Sequence, residues 1–123
     1  MKTFMIYQNS LRSVRNELNE IGDWDAAAEK LTKVNTHLQC SIKGSEGFLA
    51  QMFHDYEKVS TIQADDLNGV FQTGNIGPEA DIKRFKPMHS ISVGDIIRDD
   101  RGRFYMVDPC DFHDITLYIW CQS

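Results

Sequence analysis

The hydrophobic pattern changes its period at Gly44-Ser45-Glu46-Gly47, and this change constrains the fold more than any other feature. Before this segment, apolar residues recur at steps of three and four, as on one face of a helix. After it, they form short β-branched and aromatic runs. A helix-rich part (1–43) followed by a strand-rich part (48–123) predicts an α+β fold. Four residues are within the normal length of a connection, so we expect a single domain over 1–123.

Two N-terminal helices are predicted after a short strand at 3–7. The first begins at the N-cap residue Ser10 and ends before Gly22, a residue suited to a left-handed C-terminal cap. Its apolar positions share one helical face: Leu11, Val14, Leu18 and Ile21. The second begins after Asp23 and ends near Gly44. Its apolar stripe consists of Trp24, Ala27, Ala28, Leu31, Val34 and Leu38.

The rest of the chain predicts a bent, mostly antiparallel sheet of five or six strands on which the two helices pack. The predicted strands after the break are at 48–53, 56–63, 96–98, 103–107 and 115–120. The first two form a hairpin that turns at His54-Asp55. The polar and glycine residues of Asp99-Asp100-Arg101-Gly102 are typical of a second hairpin loop. Between the hairpins, a short capped helix is predicted at 64–71 and an irregular segment at 72–90.

The chain is acidic, with 13 Lys and Arg against 18 Asp and Glu and a net charge of −5 over 123 residues. It lacks the overall positive charge by which proteins grip nucleic-acid phosphates, and an acidic surface steers a protein toward a basic partner. Three cysteines at irregular spacing, Cys40, Cys110 and Cys121, predict free thiols. No apolar run is long enough for a signal peptide or a bilayer span, which predicts a cytoplasmic protein.

Two groups of residues contain metal-ligand types. Cys110 and His113 have a ligand-like gap, with Cys121 and His89 further away, but a structural zinc site normally shows two close ligand pairs. Six aspartates in the last third offer hard oxygen ligands without the spacing of an EF-hand: Asp95, Asp99, Asp100, Asp108, Asp111 and Asp114. Turn and strand-end positions explain several of them. We therefore expect no metal and no cofactor.

The sequence favours a binding protein over an enzyme. It contains no Gly-x-Ser-x-Gly elbow, no Walker lysine loop, no dinucleotide-type glycine triplet and no His-Glu-x-x-His helix. Gly74 and Gly77 lack the Lys-Ser/Thr that follows a phosphate-binding loop. Four histidines supply potential bases, but nucleophilic catalysis also needs an activated nucleophile beside one of them.

The only basic cluster with an aromatic residue inside it lies within the segment predicted to be irregular. It consists of Lys83, Arg84, Phe85 and Lys86, followed by Met88 and His89. Loops on a rigid scaffold often bind partners, and Phe, Met and Arg are enriched in interface cores. We predict that Lys83, Arg84, Phe85, Lys86 and Met88 form a recognition surface. The alternatives are a solvated loop, a phosphate or base contact, and a role for Phe85 and Met88 as plugs of the sheet edge.

Three segments, 65–72, 89–97 and 102–107, together with Phe112, resemble small accessory proteins of phages and plasmids, some described as YodL-like. The centre of this resemblance is Ser90-Ile91-Ser92-Val93-Gly94-Asp95 and the Tyr-containing strand after it, and it covers about half the chain (56–115). Such proteins usually have a Gly-Phe pair after the last strand, where this chain has Asp111-Phe112.

The resemblance implies an accessory protein in the cytoplasm of a bacterial host, which binds and modulates, mainly by inhibition, a host protein or a defence or nuclease complex. The resemblance implies no catalytic residues. The same Val93-Gly94-Asp95 segment is also similar to a turn of PUA and ASCH barrels, which implies the alternative of an RNA- or nucleotide-binding module. From the residues themselves, we expect Gly94 to adopt a backbone conformation that other residues resist, and Asp95 to accept hydrogen bonds from exposed amides.

Overall fold

The computed structural model describes residues 1–11, 14–109 and 111–120. The strands are β1 (Lys2–Gln8), β2 (Glu57–Ala64), β3 (Ile82–Arg84), β4 (Ile96–Arg98), β5 (Phe104–Val107) and β6 (Phe112–Asp114). The α-helices are α1 (Arg15–Ile21), α2 (Trp24–Lys30), α3 (Thr32–Lys43), α4 (Leu67–Asn75) and α5 (Thr116–Trp120). Short 3₁₀ helices lie at Gly44–Gly47, Ala50–Asp55 and Glu79–Asp81. This arrangement confirms the predicted α+β class.

The strands form one sheet in the order β3-β2-β1-β4-β5-β6, and every neighbouring pair is antiparallel. The longest pairing joins β1 and β2, with Lys2 opposite Ala64 and Gln8 opposite Glu57. The six antiparallel strands agree with the prediction. In the described part of the chain, β3 and β6 are the two edges and do not pair with each other, so the sheet is open.

Both faces of the sheet are covered, because successive side chains of a strand point to opposite sides. Ile6 of β1 and Ile97 of β4 are register partners and belong to the core cluster that Val70 of α4 also joins. Ile96, the neighbour of Ile97, belongs to a second cluster with Cys40 of α3. These three isoleucines have no exposed area, and burying each contributes about 1.5–3 kcal/mol.

The predicted strand at 48–53, and with it the hairpin at His54-Asp55, is wrong. Residues Ala50–Asp55 form a 3₁₀ helix, and Tyr56 leads directly into β2. Phe48 and Met52 are buried whereas Leu49 is 54% exposed. The Met52 and Tyr56 N–H groups donate to the Leu49 and Phe53 carbonyls, which are three residues earlier, so these donors close local turns and do not pair with a neighbouring strand.

The predicted final strand at 115–120 is also wrong. Its residues form α5, whereas the last strand is β6, which lies before them. Ile115 and Ile119 are buried, again four residues apart, while Leu117 is 70% exposed. The Asp114 carboxylate accepts a hydrogen bond from the Thr116 backbone N–H at 2.9 Å, which supports the start of the helix.

The helical first third contains a break that the sequence pattern did not predict. The predicted second helix is divided at Leu31, an extended residue, into α2 and α3. Beyond the break, the Thr32 and Thr36 hydroxyls donate to the Asp55 carboxylate at 3.2 and 2.6 Å, a long-range interaction that local propensity does not report.

Among the described residues, no helix combines the length and the apolar composition that a bilayer span requires.

The outer boundaries of two other predictions also change. The first helix begins at Arg15 rather than after Ser10, and it ends at Gly22 in the expected left-handed conformation, with φ of 72°. The capped helix predicted at 64–71 is α4, in which Asp66 accepts from the Gly69 N–H, and it continues to Asn75. The segment predicted to be irregular therefore contains the end of α4 and all of β3.

Candidate functional site

The predicted recognition residues lie at the sheet edge formed by β3 and just after it. Phe85 directly follows β3, and its side chain is 48% exposed. The ammonium groups of Lys58 and Lys83 lie 5.3 and 5.7 Å from the centre of the Phe85 ring, within cation–π range. The ring therefore lies at the surface within reach of two cations.

The other two basic residues of this segment are paired with acids. Arg84 donates to both carboxylate oxygens of Glu79, at 2.5 and 3.2 Å. These hydrogen bonds lower the pKa of Glu79 and raise the pKa of Arg84. Lys86 Nζ lies 3.7 Å from a Glu57 carboxylate oxygen. Their charges are therefore partly compensated within the protein.

Met88 points away from this exposed group, because it is partly buried against the core cluster beneath α4. The structure thus brings Lys83 and Phe85 together, adds Lys58, and gives Met88 a packing role. Recognition of a partner by residues 83–88 stays a prediction.

A second feature is an open groove of about 570 Å³ on the α4 side of the sheet, at the end where β1 begins and β2 ends. Aromatic residues of three strands line it: Phe4, Tyr105 and Phe112. Charged residues surround them: Asp65, Asp66, Asp99, Asp100 and Asp111, with Lys2, Arg101 and Arg103. We call this feature the acidic groove.

Two aspartates of the acidic groove have structural partners. Asp66 caps α4, and Asp99 Oδ1 accepts from the backbone N–H groups of Arg101 and Arg103, both at 2.9 Å. The remaining side-chain carboxylates accept no hydrogen bond from the described residues: Asp65, Asp100 and Asp111. These three are exposed and contribute to an excess of negative charge in the groove.

The cations of the acidic groove offset only part of this charge, because its lining holds five aspartates against three cations. Arg103 donates to Asp114 Oδ2 at 2.8 Å from Nε, so its charge is already paired. The pKa of the Tyr105 phenol is raised, first by partial burial and then by the carboxylates of Asp99 and Asp114. The groove therefore combines an aromatic interior with a negative field.

A third feature is a buried polar cluster at the opposite end of the strands, where β1 ends and β4 begins. Gln8 is 1% exposed, and its side-chain amide donates to the His89 carbonyl at 2.9 Å and to Asp95 Oδ2 at 3.0 Å. Its Oε1 accepts from the His89 N–H at 3.2 Å. Asp95 Oδ2 also accepts from the Ser92 N–H at 3.0 Å. We call these four residues the Asp95 cluster.

The Asp95 carboxylate is 5% exposed, and this burial raises its pKa to about 6. The His89 ring, 3.9 Å away, and the hydrogen bonds from Ser92 and Gln8 act in the opposite direction. Burial outweighs them because removing a carboxylate from water disfavours its charged form. The charge of Asp95 therefore changes at mildly acidic pH.

Gly94 fixes the loop of this cluster onto α3. Its φ is 95°, as expected from the sequence, and a Cβ atom there would lie 3.0 Å from the Cys40 carbonyl carbon. The Tyr56 hydroxyl donates to the Gly94 carbonyl. Cys40 is 1% exposed, and burial raises the pKa of its thiol, so it is not an activated nucleophile. Val93-Gly94-Asp95 therefore has a structural role.

A cleft of about 470 Å³ opens beside the Asp95 cluster, between the helical first third and residues 87–89. Asn9, Trp24, His37 and His89 are among its lining residues. Burial, followed by the nearby His89, lowers the pKa of His37. The Trp24 and His37 rings stack with centroids 5.9 Å apart.

The potential zinc ligands Cys110 and Cys121 lie outside the described residues. Within the described residues, no three His, Cys, Asp or Glu side chains lie close enough together to hold a metal ion. The six aspartates of the last third are distributed between the two ends of the sheet, with Asp95 at one end and Asp99 at the other.

Sequence reasoning singled out Asp95 and His89 but missed their partner Gln8 and the neighbouring Asn9 and His37. One signal was available, because Gln8 continues the alternation of Phe4 and Ile6, at which an inward-facing residue is expected. A polar residue at an inward position of a strand requires a buried partner.

Comparison of the chain with protein-family models, with curated proteins and with solved structures finds no match. The geometry of the chain's own residues therefore carries the functional argument.

Proposed function

We propose that this protein is an accessory protein that binds a basic surface of a host protein in its acidic groove and thereby blocks nucleic acid from that surface. The acidic groove is the observation that carries the proposal. Its aromatic interior and its excess of aspartates over cations are suited to arginine and lysine side chains. The resemblance to phage and plasmid accessory proteins supports the same class of function.

The kind of partner follows from charge. A chain of net charge −5 repels nucleic acid at long range, whereas its acidic groove attracts a surface that itself binds phosphates. Arginine is the favoured occupant, because its planar guanidinium pairs with a carboxylate and stacks on an aromatic ring such as Tyr105. A host nuclease or other nucleic-acid-binding protein presents this chemistry.

The first experiment measures binding of a fluorescent arginine-rich peptide by anisotropy at about 50 and 200 mM salt. The double variant Asp65→Asn, Asp100→Asn removes two exposed carboxylates of the acidic groove that accept no hydrogen bond. We expect the variant to bind the peptide about tenfold more weakly, and salt to weaken the wild type more than the variant.

The matched control is Glu17→Gln, Glu20→Gln, which removes the same charge from exposed positions on α1. Equal loss of peptide binding in both double variants would show a general effect of net charge and contradict the proposal. A tagged chain is then used to capture host proteins from a bacterial lysate. We expect the captured protein to be released by short duplex DNA and to be absent with the groove variant. If neither duplex DNA nor the groove variant reduces capture of the host protein, the proposal is also contradicted.

A further inference from the structure

The cleft beside the Asp95 cluster has the features of a built ligand site, and it lies at the opposite end of the strands from the acidic groove. Its volume of about 470 Å³ is within the range of small-molecule sites. Asn9, which is 8% exposed, lies in its wall and also borders a smaller cavity of about 40 Å³ next to Asp95. We propose that this cleft binds a purine nucleotide that carries an exocyclic amine.

An aromatic surface for the base is already in place. Trp24 is 47% exposed, and its indole is held by stacking on His37 at an interplanar angle of 30°. One face of the indole is thus occupied and the ring is oriented, which leaves the rest of the ring for a ligand. Base–aromatic stacking is a main source of affinity for nucleotides.

Two acceptors select for an amine. The Asn9 amide donates from Nδ2 to the Lys33 carbonyl at 2.8 Å, whereas its buried Oδ1 has no partner among the described residues. A buried acceptor without a donor is costly, so a small rotation of the amide that brings Oδ1 to a ligand N–H is favoured.

His89 supplies the second acceptor. Its Nδ1 lies 2.7 Å from the Ser90 carbonyl, which can only accept, so Nδ1 carries the hydrogen. Gln8 Nε2 lies 3.2 Å from the same nitrogen, but its two hydrogens are directed to the His89 carbonyl and to Asp95. In the neutral tautomer that this contact favours, Nε2 is a lone-pair acceptor. Its side chain is 52% exposed and lines the cleft.

The phosphate has a cation within the same cleft. Arg15, the first residue of α1, lines the cleft, is exposed and forms no ion pair with a described residue. A guanidinium binds phosphate through two parallel hydrogen bonds. Leu18 and Met88 add apolar wall. The combination of a stacking ring, two amine acceptors and one guanidinium matches an adenine or guanine nucleotide better than a simple anion.

The two tryptophans of the chain allow a direct measurement. In Trp120→Phe, Trp24 is the only tryptophan and reports on the cleft, whereas in Trp24→Phe the remaining reporter is Trp120 on α5. We expect AMP to quench the fluorescence of Trp120→Phe saturably and to leave that of Trp24→Phe unchanged. Inosine monophosphate, which lacks the exocyclic amine, is expected to bind about tenfold more weakly.

Substitutions of the cleft separate the contributions of base and phosphate, with binding measured by calorimetry. We expect Trp24→Ala and Arg15→Gln each to weaken AMP binding about tenfold, and Arg15→Gln to leave the affinity for adenosine unchanged. The groove variant Asp65→Asn, Asp100→Asn serves as the control and is expected to retain AMP binding.

Several outcomes would overturn this proposal: no saturable binding of AMP or GMP at millimolar concentration, equal quenching of both single-tryptophan proteins, or equal affinity for AMP and inosine monophosphate. A short oligoadenylate distinguishes the source of the nucleotide. Tighter binding of the oligomer than of AMP, with a steep salt dependence, would show that the ligand is a strand and would contradict a free nucleotide as occupant.

Discussion

The two ends of the sheet use carboxylates in opposite ways. At the end where β1 finishes, Asp95 is almost fully buried and accepts hydrogen bonds from Gln8 and Ser92. At the end where β1 begins, Asp65 and Asp100 are exposed at the acidic groove and accept none from the described residues. A buried carboxylate orders the chain around it, whereas exposed carboxylates act at a distance through their field. The carboxylate that orders the fold and the carboxylates that create the external negative field therefore lie at opposite ends of the strands.

The largest effect is expected at Gly94. Gly94→Val places a β-branched residue at positive φ and its Cβ against the Cys40 backbone, so we expect unfolding free energy to fall by about 3 kcal/mol or more. Urea denaturation measures this loss. Gly102→Val is the matched control, because Gly102 has φ of 87° but its nearest neighbour is the flexible Arg98 side chain. A Gly94 variant as stable as the Gly102 variant would show that close packing on α3 contributes nothing.

Asp95→Asn is expected to change the pH dependence of stability. The raised pKa means that the folded protein holds the Asp95 proton more tightly than the unfolded chain does. Wild-type stability is therefore lost as pH rises from about 4 to about 6, and a shift from 3.8 to about 6 corresponds to about 3 kcal/mol.

Asparagine keeps an acceptor for Gln8 and Ser92 but carries no charge. The difference in unfolding free energy between Asp95→Asn and wild type is thus expected to grow in favour of the variant over this interval and to stay constant above it. Thermal denaturation across the pH range measures this difference. A constant difference from pH 4 to 7 would show that Asp95 ionises as it does in water.

Tyr56→Phe is expected to have an intermediate effect. It leaves the Gly94 carbonyl without its hydroxyl donor inside the protein, at a cost of about 1–2 kcal/mol in unfolding free energy. Tyr118→Phe, at a position that is 48% exposed, is the control and is expected to be neutral in the same chemical denaturation. An equally neutral Tyr56→Phe would mean that water replaces the hydroxyl.

Phe85→Ala distinguishes an exposed residue from a plug of the sheet edge. Since the ring is 48% exposed, we expect a loss of about 1 kcal/mol or less, chiefly from its contacts with Lys58 and Lys83. Phe48→Ala, at a position that is 5% exposed, is the buried reference and is expected to cost about 3–5 kcal/mol. Similar melting temperatures for the two variants would show that Phe85 packs as a plug of the sheet edge.

The smallest effect on stability is expected at the acidic groove. Asp65→Asn, Asp100→Asn removes two solvated charges with no hydrogen-bonded partner, so unfolding free energy should stay within about 0.5 kcal/mol of wild type. A larger change, in a denaturation series at low and high salt, would mean that these carboxylates stabilise the fold and would remove the contrast with Asp95.

Local chemistry explains which parts of the fold the sequence predicts. The turn at 99–102 forms as expected, because Asp99 accepts from the backbone of its own turn and Gly102 supplies positive φ. Gly22 and Gly94 likewise show their predicted conformations. The turn at 99–102 and the cap at Gly22 depend mainly on residues a few positions apart, whereas Gly94 also packs on Cys40 of α3.

The features that the sequence does not predict depend on distant partners. Leu31 breaks the long helix where Thr32 and Thr36 can reach Asp55, about twenty residues away. The candidate cleft depends on Asn9 of the N-terminal strand end, Trp24 of α2 and His89 of a late loop. These residues are far apart in the sequence, and only the folded chain brings them together.

The edge strands limit what can pair with this sheet. β3 and β6 are each three residues long, and β3 carries the exposed cations Lys83 and Arg84. An additional strand would gain few backbone hydrogen bonds there and would have to desolvate charged side chains. Both edges are therefore poor templates for pairing between copies of the chain. The basic residues of β3 thus disfavour edge-to-edge aggregation, independently of any partner that they bind.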